Sequence, residues 1–150
     1  MSRANRTSSI NGVGITKTFL PTFLLIFCLD QTSKFLATLA GLHISYNTGV
    51  SLSFFSGSNA NFLTVLLGIL IFYLYRNFAD QWQKNGLAAG LFFGGAVANV
   101  YDRIIFGSVR DWLFIPFTTV QNNLADWAIF AGLLVLVLPH IFIKRKKIDR

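Results

Sequence analysis

The chain has 150 residues, of which 53% are hydrophobic and 13% are charged, and its formal net charge is +7. So few charged residues cannot cover a water-soluble surface, which excludes an ordinary soluble domain and predicts an integral membrane protein. The basic residues are not interleaved with aromatic residues on one face, so no nucleic-acid partner is expected. The single cysteine, Cys28, excludes an intrachain disulfide, and its place in an apolar run predicts a buried packing role.

Four apolar segments are long enough to cross a bilayer, since a helical span needs about 20 residues. In chain order they cover residues 18–42, 61–78, 86–105 and 124–143. The first segment is longer than the apolar core of a signal peptide and lacks a small-x-small cleavage site, which predicts a retained anchor. Residues 1–17 are predicted to form a flexible cytoplasmic tail, and residues 1–150 to form one domain.

The basic residues predict the orientation of this bundle. Ten of the thirteen lie before the first segment, between the second and the third, or at the C-terminus: Arg3, Arg6, Lys17, Arg76, Lys84, Lys144, Arg145, Lys146, Lys147 and Arg150. Residues 41–60, between the first and second segments, include none. Because positive loops stay in the cytoplasm, both termini are predicted inside, and the loops after the first and third helices outside.

All six acidic residues are aspartates, and four of them lie inside or at the ends of the apolar segments: Asp30, Asp102, Asp111 and Asp126. A carboxylate at membrane depth is costly unless it has a partner or a function, so these four indicate the functional site. The predicted topology brings Asp111, Asp126 and Arg103 together near the outer membrane surface. The fold class is therefore predicted as an all-α membrane protein with a polar site at its outer end.

Helical spacing groups further polar residues with these aspartates. Asn99, Asp102 and Arg103 share one face of the third helix, where Arg103 either donates to a nearby carboxylate or only anchors the helix at the lipid headgroups. Asp30 and Lys34 share one face of the first helix, with the acid before the base. They form either an internal ion pair that packs this helix or a direct part of the site.

The first outer loop predicts a small β-structured region on the outer face. Turn residues occupy positions 47–49, and in residues 50–54 apolar side chains alternate with serines. Alternation with period two is typical of a short, half-buried strand. Such a strand could hold an extended peptide by backbone pairing, or it could only plug the helix bundle.

Two close carboxylates are sufficient to hydrolyse a peptide bond, because their repulsion leaves one proton between an acid and a base. Asparagine and arginine neighbours can orient such a pair and stabilise the oxyanion. His43 and His140 are predicted on opposite sides of the membrane, so a histidine metal site or a serine–histidine pair is not supported. No metal or cofactor is expected. A non-catalytic membrane protein that uses the same polar cluster for ions, protons or lipid stays open as the alternative.

Four sequence blocks resemble the lipoprotein signal peptidase (signal peptidase II) family along nearly the whole chain. They are Asp30-Gln31-Thr32-Ser33-Lys34, Asn47-Thr48-Gly49 with residues 50–54, residues 95–103 continuing to 107–111, and Asn123-Leu124-Ala125-Asp126. The resemblance implies a bacterial membrane aspartyl protease in which Asp111 and Asp126 form the catalytic dyad. It also implies eight supporting or substrate-binding positions: Asp30, Lys34, Asn47, Gly49, Asn99, Asp102, Arg103 and Asn123.

The resemblance further implies the substrate and the location. Such an enzyme removes the signal peptide from prolipoproteins that carry diacylglycerol, cutting before the lipidated cysteine, in the bacterial inner membrane with its site facing the periplasm. The expected partners are these lipid-modified signal peptides, membrane lipids and a cyclic-peptide inhibitor of the globomycin type.

The chain also departs from the family pattern at positions near the site. Ala98 replaces a glycine, Arg110 a small apolar residue, Trp112 a phenylalanine, Trp127 a small residue, and Ser51-Leu52 an alanine–phenylalanine pair. We expect these departures to affect substrate preference and rate more than the type of reaction.

Overall fold

The computed structural model describes residues 17–48, 60–77 and 79–148. Within these ranges the elements are α1 (Phe19–Leu39), β1 (Ser45–Asn47), α2 (Ala60–Asn77), α3 (Ala79–Lys84), α4 (Gly86–Phe106), β2 (Val109–Asp111), β3 (Leu113–Phe114), β4 (Gln121–Asn122) and α5 (Leu124–Ile148). The protein is therefore mostly helical. Gly49, the strand predicted at 50–54, the departure Ser51-Leu52 and nearly all of the predicted tail lie outside the described residues.

Each of the four predicted apolar segments folds as a helix, namely α1, α2, α4 and α5, with ends that differ from the prediction by a few residues. In the described part of the chain, α1 is the one helix whose length and mean hydropathy both suit a membrane span. Shorter apolar stretches occur at Val65–Leu74 in α2 and at Leu124–Leu136 in α5.

The six-residue helix α3 was not predicted, because it is too short to show a helical period. Its Trp82 is buried and stacks on Phe92 of α4, with ring centroids 5.3 Å apart. The Trp82 indole N–H donates to the carbonyl oxygen of Leu74 in α2, at 3.0 Å. This tryptophan therefore joins three helices at the end of the bundle where α4 begins.

α4 packs between α1 and α5, and two of its glycines allow the close approach. A Cβ on Gly94 would overlap the carbonyl oxygen of Phe23 in α1, and a Cβ on Gly95 would overlap that of Ala125 in α5. Small residues at helix crossings let two backbones come together in this way. As a result, polar residues of α1 and the first turn of α5 lie against the C-terminal half of α4.

α1 buries polar side chains and exposes apolar ones. Its buried residues are Asp30, Lys34 and Ala37, which lie on one helical face. On the rest of the helix, Phe35 is 57% exposed and Cys28 is also exposed, so the predicted burial of Cys28 is wrong. The apolar run that suggested a core residue belongs instead to the outer surface of the helix, which is the arrangement expected for contact with lipid.

The strands form two small antiparallel sheets next to the C-terminal end of α4. β1 pairs with β2, with Ser45 opposite Asp111 and Tyr46 opposite Arg110, while β3 pairs with β4. Gly107 ends α4 in the left-handed region, with φ 72°, and its N–H donates to Arg103. A glycine adopts this conformation without strain, so the chain reverses at once and β2 returns against α4.

Candidate active site

A cluster of two acidic and two basic side chains connects α1, α4 and β2, and we call it the ion-pair cluster: Asp30, Lys34, Asp102 and Arg110. The Lys34 Nζ lies 2.7 Å from Asp30 Oδ2 and 3.0 Å from Asp102 Oδ2, and these three side chains are fully buried. The Arg110 Nη2 lies 2.8 Å from Asp102 Oδ1. Two anions and two cations make the cluster neutral, as burial of charge requires.

The cluster also orients the start of α5. The Asp30 Oδ1 accepts the backbone N–H of Ala125 at 2.9 Å, so a carboxylate of α1 lies at the N-terminal end of α5. Lys34 donates to Asn99 Oδ1 at 3.2 Å, which joins α1 to the middle of α4. Asp30 and Lys34 therefore form the internal ion pair that was one alternative, and their contacts extend beyond α1.

Asp111 is one of two aspartates that line a shared cleft, and we call Asp111 and Asp126 the aspartate pair. Asp111 is 2% exposed, and its carboxylate accepts hydrogen bonds from Asn123 Nδ2 at 2.5 Å and from Asn47 Nδ2 at 3.2 Å. Burial raises the pKa of Asp111 to about 6, and the charge of Asp126 adds to this rise. The hydrogen bonds from Asn123 and Asn47 act in the opposite direction.

Asp126 lies in the first turn of α5, held by two asparagines. Its Oδ1 accepts Asn99 Nδ2 at 2.8 Å, and its backbone N–H donates to Asn123 Oδ1 at 3.0 Å. Asn123 directly precedes α5, so its side-chain oxygen has the role of a helix N-cap. The same amide donates its Nδ2 to Asp111, and a single asparagine therefore joins the two members of the aspartate pair.

The cleft has a volume of about 330 Å³ and mixes polar and apolar walls. Besides the aspartate pair, it is lined by Asn47, Ile115, Gln121, Asn122, Ile129, Phe130 and Leu133. A second cavity of about 200 Å³ lies between α2, α4 and α5, and Asp126 and Ile129 line it too. Leucine and isoleucine side chains of α2 make this second cavity mostly apolar, with Asn99 and Arg103 on its wall. Asp126 therefore borders both spaces.

Arg103 is buried, with 6% of its surface exposed. Its Nη1 donates to the backbone oxygen of Asn99 at 3.3 Å, and its charge interacts with those of Asp126, Asp111 and Asp102. An arginine that only anchored a helix at the headgroups would extend its guanidinium into the lipid–water interface. The burial of Arg103 does not fit that alternative, and donation from Arg103 to a carboxylate stays a prediction.

The described site residues that were predicted from the sequence meet in one region. They are Asp30, Lys34, Asn47, Asn99, Asp102, Arg103, Asp111, Asn123 and Asp126. Gly49 lies outside the described residues. In the part of the chain that the structure describes, no three or more His, Cys, Asp or Glu side chains are grouped to hold a metal ion.

Sequence reasoning missed the role of two residues. Gln31 donates to Asp102 Oδ1 at 3.0 Å, and Arg110 donates to Gln31 Oε1 at 2.9 Å. Gln31 follows Asp30 directly, so helical spacing does not place it on the face of Asp30 and Lys34. Arg110 was noted only as a departure from a family pattern, although a charged residue between apolar segments was itself a signal.

The model of the family described as Signal peptidase (SPase) II matches residues 22–142. The chain belongs to the signal peptidase II family. Members of this family are membrane proteases, so the protein is a hydrolase that acts on peptide bonds. The resemblance inferred from the four sequence blocks is thereby confirmed.

Individual members of the signal peptidase II family match over most of their length. The chain is 37% identical to the lipoprotein signal peptidase of Campylobacter jejuni subsp. doylei over 151 aligned positions, covering 88% of this chain and 92% of that protein. It is 32% identical to the lipoprotein signal peptidase of Helicobacter pylori over 143 positions, covering 86% and 90%.

Solved structures support the same fold for this family member. A bacterial membrane enzyme determined by the in meso method at 2.3 Å resolution is 22% identical, with a TM-score of 0.66 over 87% of this chain and 90% of that one. A second, determined at 1.9 Å, is 21% identical, with a TM-score of 0.68 over 83% and 92%. These likenesses concern the fold.

Proposed function

We propose that this protein is an aspartic endopeptidase that removes the signal peptide from prolipoproteins bearing diacylglycerol, by cutting before the lipidated cysteine. One observation carries the catalytic part of the proposal. Asp111 and Asp126 line the same cleft, and the amide of Asn123 joins them. Two carboxyls that line one partly buried cleft suit a reaction in which one proton is shared between an acid and a base.

In the proposed reaction, the ionised carboxyl of the aspartate pair removes a proton from water, whose oxygen attacks the scissile carbonyl carbon. The protonated carboxyl stabilises the oxyanion and then, as the C–N bond breaks, a proton passes to the departing amine. A pKa of Asp111 near 6 supports this scheme, because a carboxyl with an ordinary pKa would retain little proton at neutral pH.

The neighbouring side chains suit supporting roles in this reaction. The amides of Asn47, Asn99 and Asn123 orient the two carboxyls, and the buried charge of Arg103 offsets the negative charge that remains when one proton is shared. Gly49, two positions after Asn47 in the sequence, stays a predicted supporting residue. We assign no metal or cofactor to the reaction.

The substrate class rests on the relatives and on the chemistry of the two spaces at Asp126. The relatives compared above are named lipoprotein signal peptidases. A cleft with polar carboxyls and apolar walls, beside a mostly apolar cavity, is suited to a substrate that combines a peptide with apolar chains. Membrane lipids and a cyclic peptide of the globomycin type are the further proposed ligands.

We also propose that α1, α2, α4 and α5 each cross the bacterial inner membrane as parts of one domain, with both termini in the cytoplasm and the cleft facing the periplasm. The distribution of lysine and arginine supports this orientation. The apolar surfaces support the spans, since Phe72 of α2 is 66% exposed and Ile104 of α4 is 67% exposed.

The experiment that tests this function compares two peptides in detergent, where no ion gradient exists. Purified protein should cleave a lipobox peptide whose cysteine bears diacylglycerol, and should cleave the unlipidated peptide far more slowly. In sealed membrane vesicles, lipidated peptide added outside should be cut in right-side-out but not in inside-out preparations. Cleavage of neither peptide in detergent would refute the peptidase and favour the alternative of a proton or ion relay. Cleavage only in inside-out vesicles would reverse the proposed orientation.

A further inference from the structure

The proposed reaction uses no member of the ion-pair cluster, and Arg110 is the member that directly precedes Asp111 in β2. Its side chain is buried against Asp102 with a forked geometry: Nη2 donates to Oδ1 at 2.8 Å and Nε to Oδ2 at 3.3 Å. The backbone N–H of Arg110 also donates to Asp102 Oδ2, at 3.1 Å. One carboxylate of α4 therefore binds both the main chain and the side chain of the residue before Asp111.

Two further contacts hold the guanidinium in this place. Its Nη2 donates to Gln31 Oε1 of α1 at 2.9 Å, and its central carbon lies 4.0 Å from the centroid of the Phe106 ring at the end of α4. A planar guanidinium serves these partners at once, because it can fork to a carboxylate while one face rests on an aromatic ring. The side chain thus fastens β2 to α1 and α4.

Arg110 and Asp111 are consecutive residues of β2, so contacts that hold Arg110 in place also restrict the position of Asp111. Successive side chains of a strand point to opposite faces, so Arg110 faces the helices while Asp111 faces the cleft. Among the described residues, the donors to the Asp111 carboxylate are the side-chain amides of Asn123 and Asn47. These amide donors are neutral, so they do not hold β2 in place by an ion pair. The ion pair that holds β2 is the one between Arg110, one residue before Asp111, and Asp102.

The contacts of Arg110 also reach the other aspartate. Asp102 binds Lys34, Lys34 binds Asn99, and Asn99 donates to Asp126. A continuous series of polar contacts thereby runs from the strand of Asp111, through the ion-pair cluster, to the carboxyl of Asp126. Asp102 lies in the middle of this series.

We propose that Arg110 is a positioning residue, which acts through Asp102 to hold the Asp111 carboxyl at its working distance from Asp126. This inference rests on the proposed catalytic function of the aspartate pair. It gives a role to a residue that departs from the family pattern, where a small apolar side chain is usual. Arg110 is not among the residues that line the cleft, so it acts through its neighbours.

The test compares Arg110→Val, Arg110→Lys and the control Arg76→Val, in which an exposed arginine of α2 is replaced. We expect Arg110→Val to lower kcat per folded molecule by about tenfold to a hundredfold, since misplacement of a catalytic group by an ångström has effects of this size. KM should stay within about threefold of wild type, because the cleft walls are unchanged. Arg110→Lys should show a similar loss of kcat, because an ammonium group cannot fork. Arg76→Val should cleave as wild type does.

A double-mutant cycle tests the route through Asp102. We expect Asp102→Asn to lower kcat, and the double variant Asp102→Asn with Arg110→Val to be within about threefold of that single variant, because both changes remove one interaction. Losses that multiply would overturn the route through Asp102. Arg110→Lys retains the charge and most of the aliphatic stem, and so keeps the test decisive where Arg110→Val folds poorly.

Wild-type kcat in folded Arg110→Lys and Arg110→Val would overturn the inference, as would a loss of activity that equals the loss of folded protein. Asp111→Asn in the same assay separates this failure from failure of the proposed function. An inactive Asp111→Asn beside a fully active Arg110→Val refutes only the positioning role. An active Asp111→Asn refutes the catalytic pair on which the inference rests.

Discussion

The ion-pair cluster and the aspartate pair lie side by side, and each contains two carboxylates, but different partners hold them. In the cluster, Lys34 lies within ion-pair distance of fully buried Asp30 and Asp102, and Arg110 lies within ion-pair distance of Asp102. The pair receives hydrogen bonds from asparagine amides instead. A contacting cation favours the ionised carboxylate strongly, whereas an amide donor favours it weakly.

This difference in partners explains how four aspartates of one fold can have two different roles. In the cluster, the carboxylates of Asp30 and Asp102 contact cations and link α1, α4 and β2, so we assign the cluster a structural role. Burial raises the pKa of Asp111 to about 6, so this carboxyl keeps its proton to a higher pH than an ordinary aspartate does. All four residues are aspartates, and their different neighbouring side chains distinguish the two with a structural role from the two with the proposed catalytic role.

The largest expected effect comes from amide replacement within the aspartate pair. We expect Asp111→Asn and Asp126→Asn each to lower kcat/KM by on the order of a thousandfold or more, because an amide keeps the shape but can neither hold the shared proton nor act as a base. Cleavage of a lipidated peptide in detergent measures this loss. Substantial turnover by either variant would remove it from the catalytic pair.

The same variants should remain folded, and Asp111→Asn should unfold at pH 7 no more easily than wild type. The pKa of Asp111 in the folded protein, about 6, lies above its ordinary value of 3.8. The folded state therefore binds the proton more tightly, and wild-type stability falls as pH rises from about 4 to about 6. An amide cannot ionise, so the stability of Asp111→Asn should lack this dependence on pH. The measurement is thermal unfolding of wild type and variant in detergent at pH 4.5 and at pH 7.

The second effect should appear in the ion-pair cluster as a loss of stability. Lys34→Met removes the cation that contacts both Asp30 and Asp102. Breaking a buried ion pair from one side costs about 3–5 kcal/mol, because a charge is left without its partner. Thermal unfolding should therefore occur well below the wild-type temperature. The matched control is Lys84→Met, at an exposed position in α3. If Lys34→Met were as stable as this control, the cluster would not have the structural role assigned to it.

The smallest expected effect is a shift in the pH dependence of activity when Asn123, which lies between the two aspartates, is replaced. The hydrogen bond from Asn123 lowers the pKa of Asp111, so Asn123→Ala should raise it. Activity falls as pH rises through the pKa at which the shared proton is lost. The falling limb of kcat/KM should therefore move to higher pH, by up to about one unit. Asn77→Ala, which removes an exposed side chain of α2, should leave the limb unchanged. A limb that moved to lower pH would contradict the role given to Asn123.

Much of this arrangement could be predicted from local patterns. Apolar length indicated α1, α2, α4 and α5, because a helix that lies in lipid or in a helix bundle needs a long run of apolar residues. The aspartates were informative because a charged residue in such a run is costly. The four sequence blocks identified the family, which the match over residues 22–142 confirms. The catalytic and supporting roles themselves stay predictions for the experiments above.

Other features depended on contacts that local patterns do not contain. Cys28 was predicted to be buried, because an apolar run does not indicate which of its residues face outward. Helix α3 and the pairing of β1 with β2 involve only a few residues each, too few to show a period. The link between Arg110 and Gln31 joins residues 79 positions apart, and nothing in either segment alone indicates it.

The sequence by itself determined the class of protein, its long helices and the residues that could carry the chemistry, because hydrophobicity, charge and spacing act locally along the chain. Only the tertiary structure decided which aspartate has which partner. A carboxylate's pKa and its capacity to catalyse depend on groups within a few ångströms, and those groups come from distant segments. Asp102 and Asp111 are nine positions apart and both buried, yet one binds two cations and the other two amides.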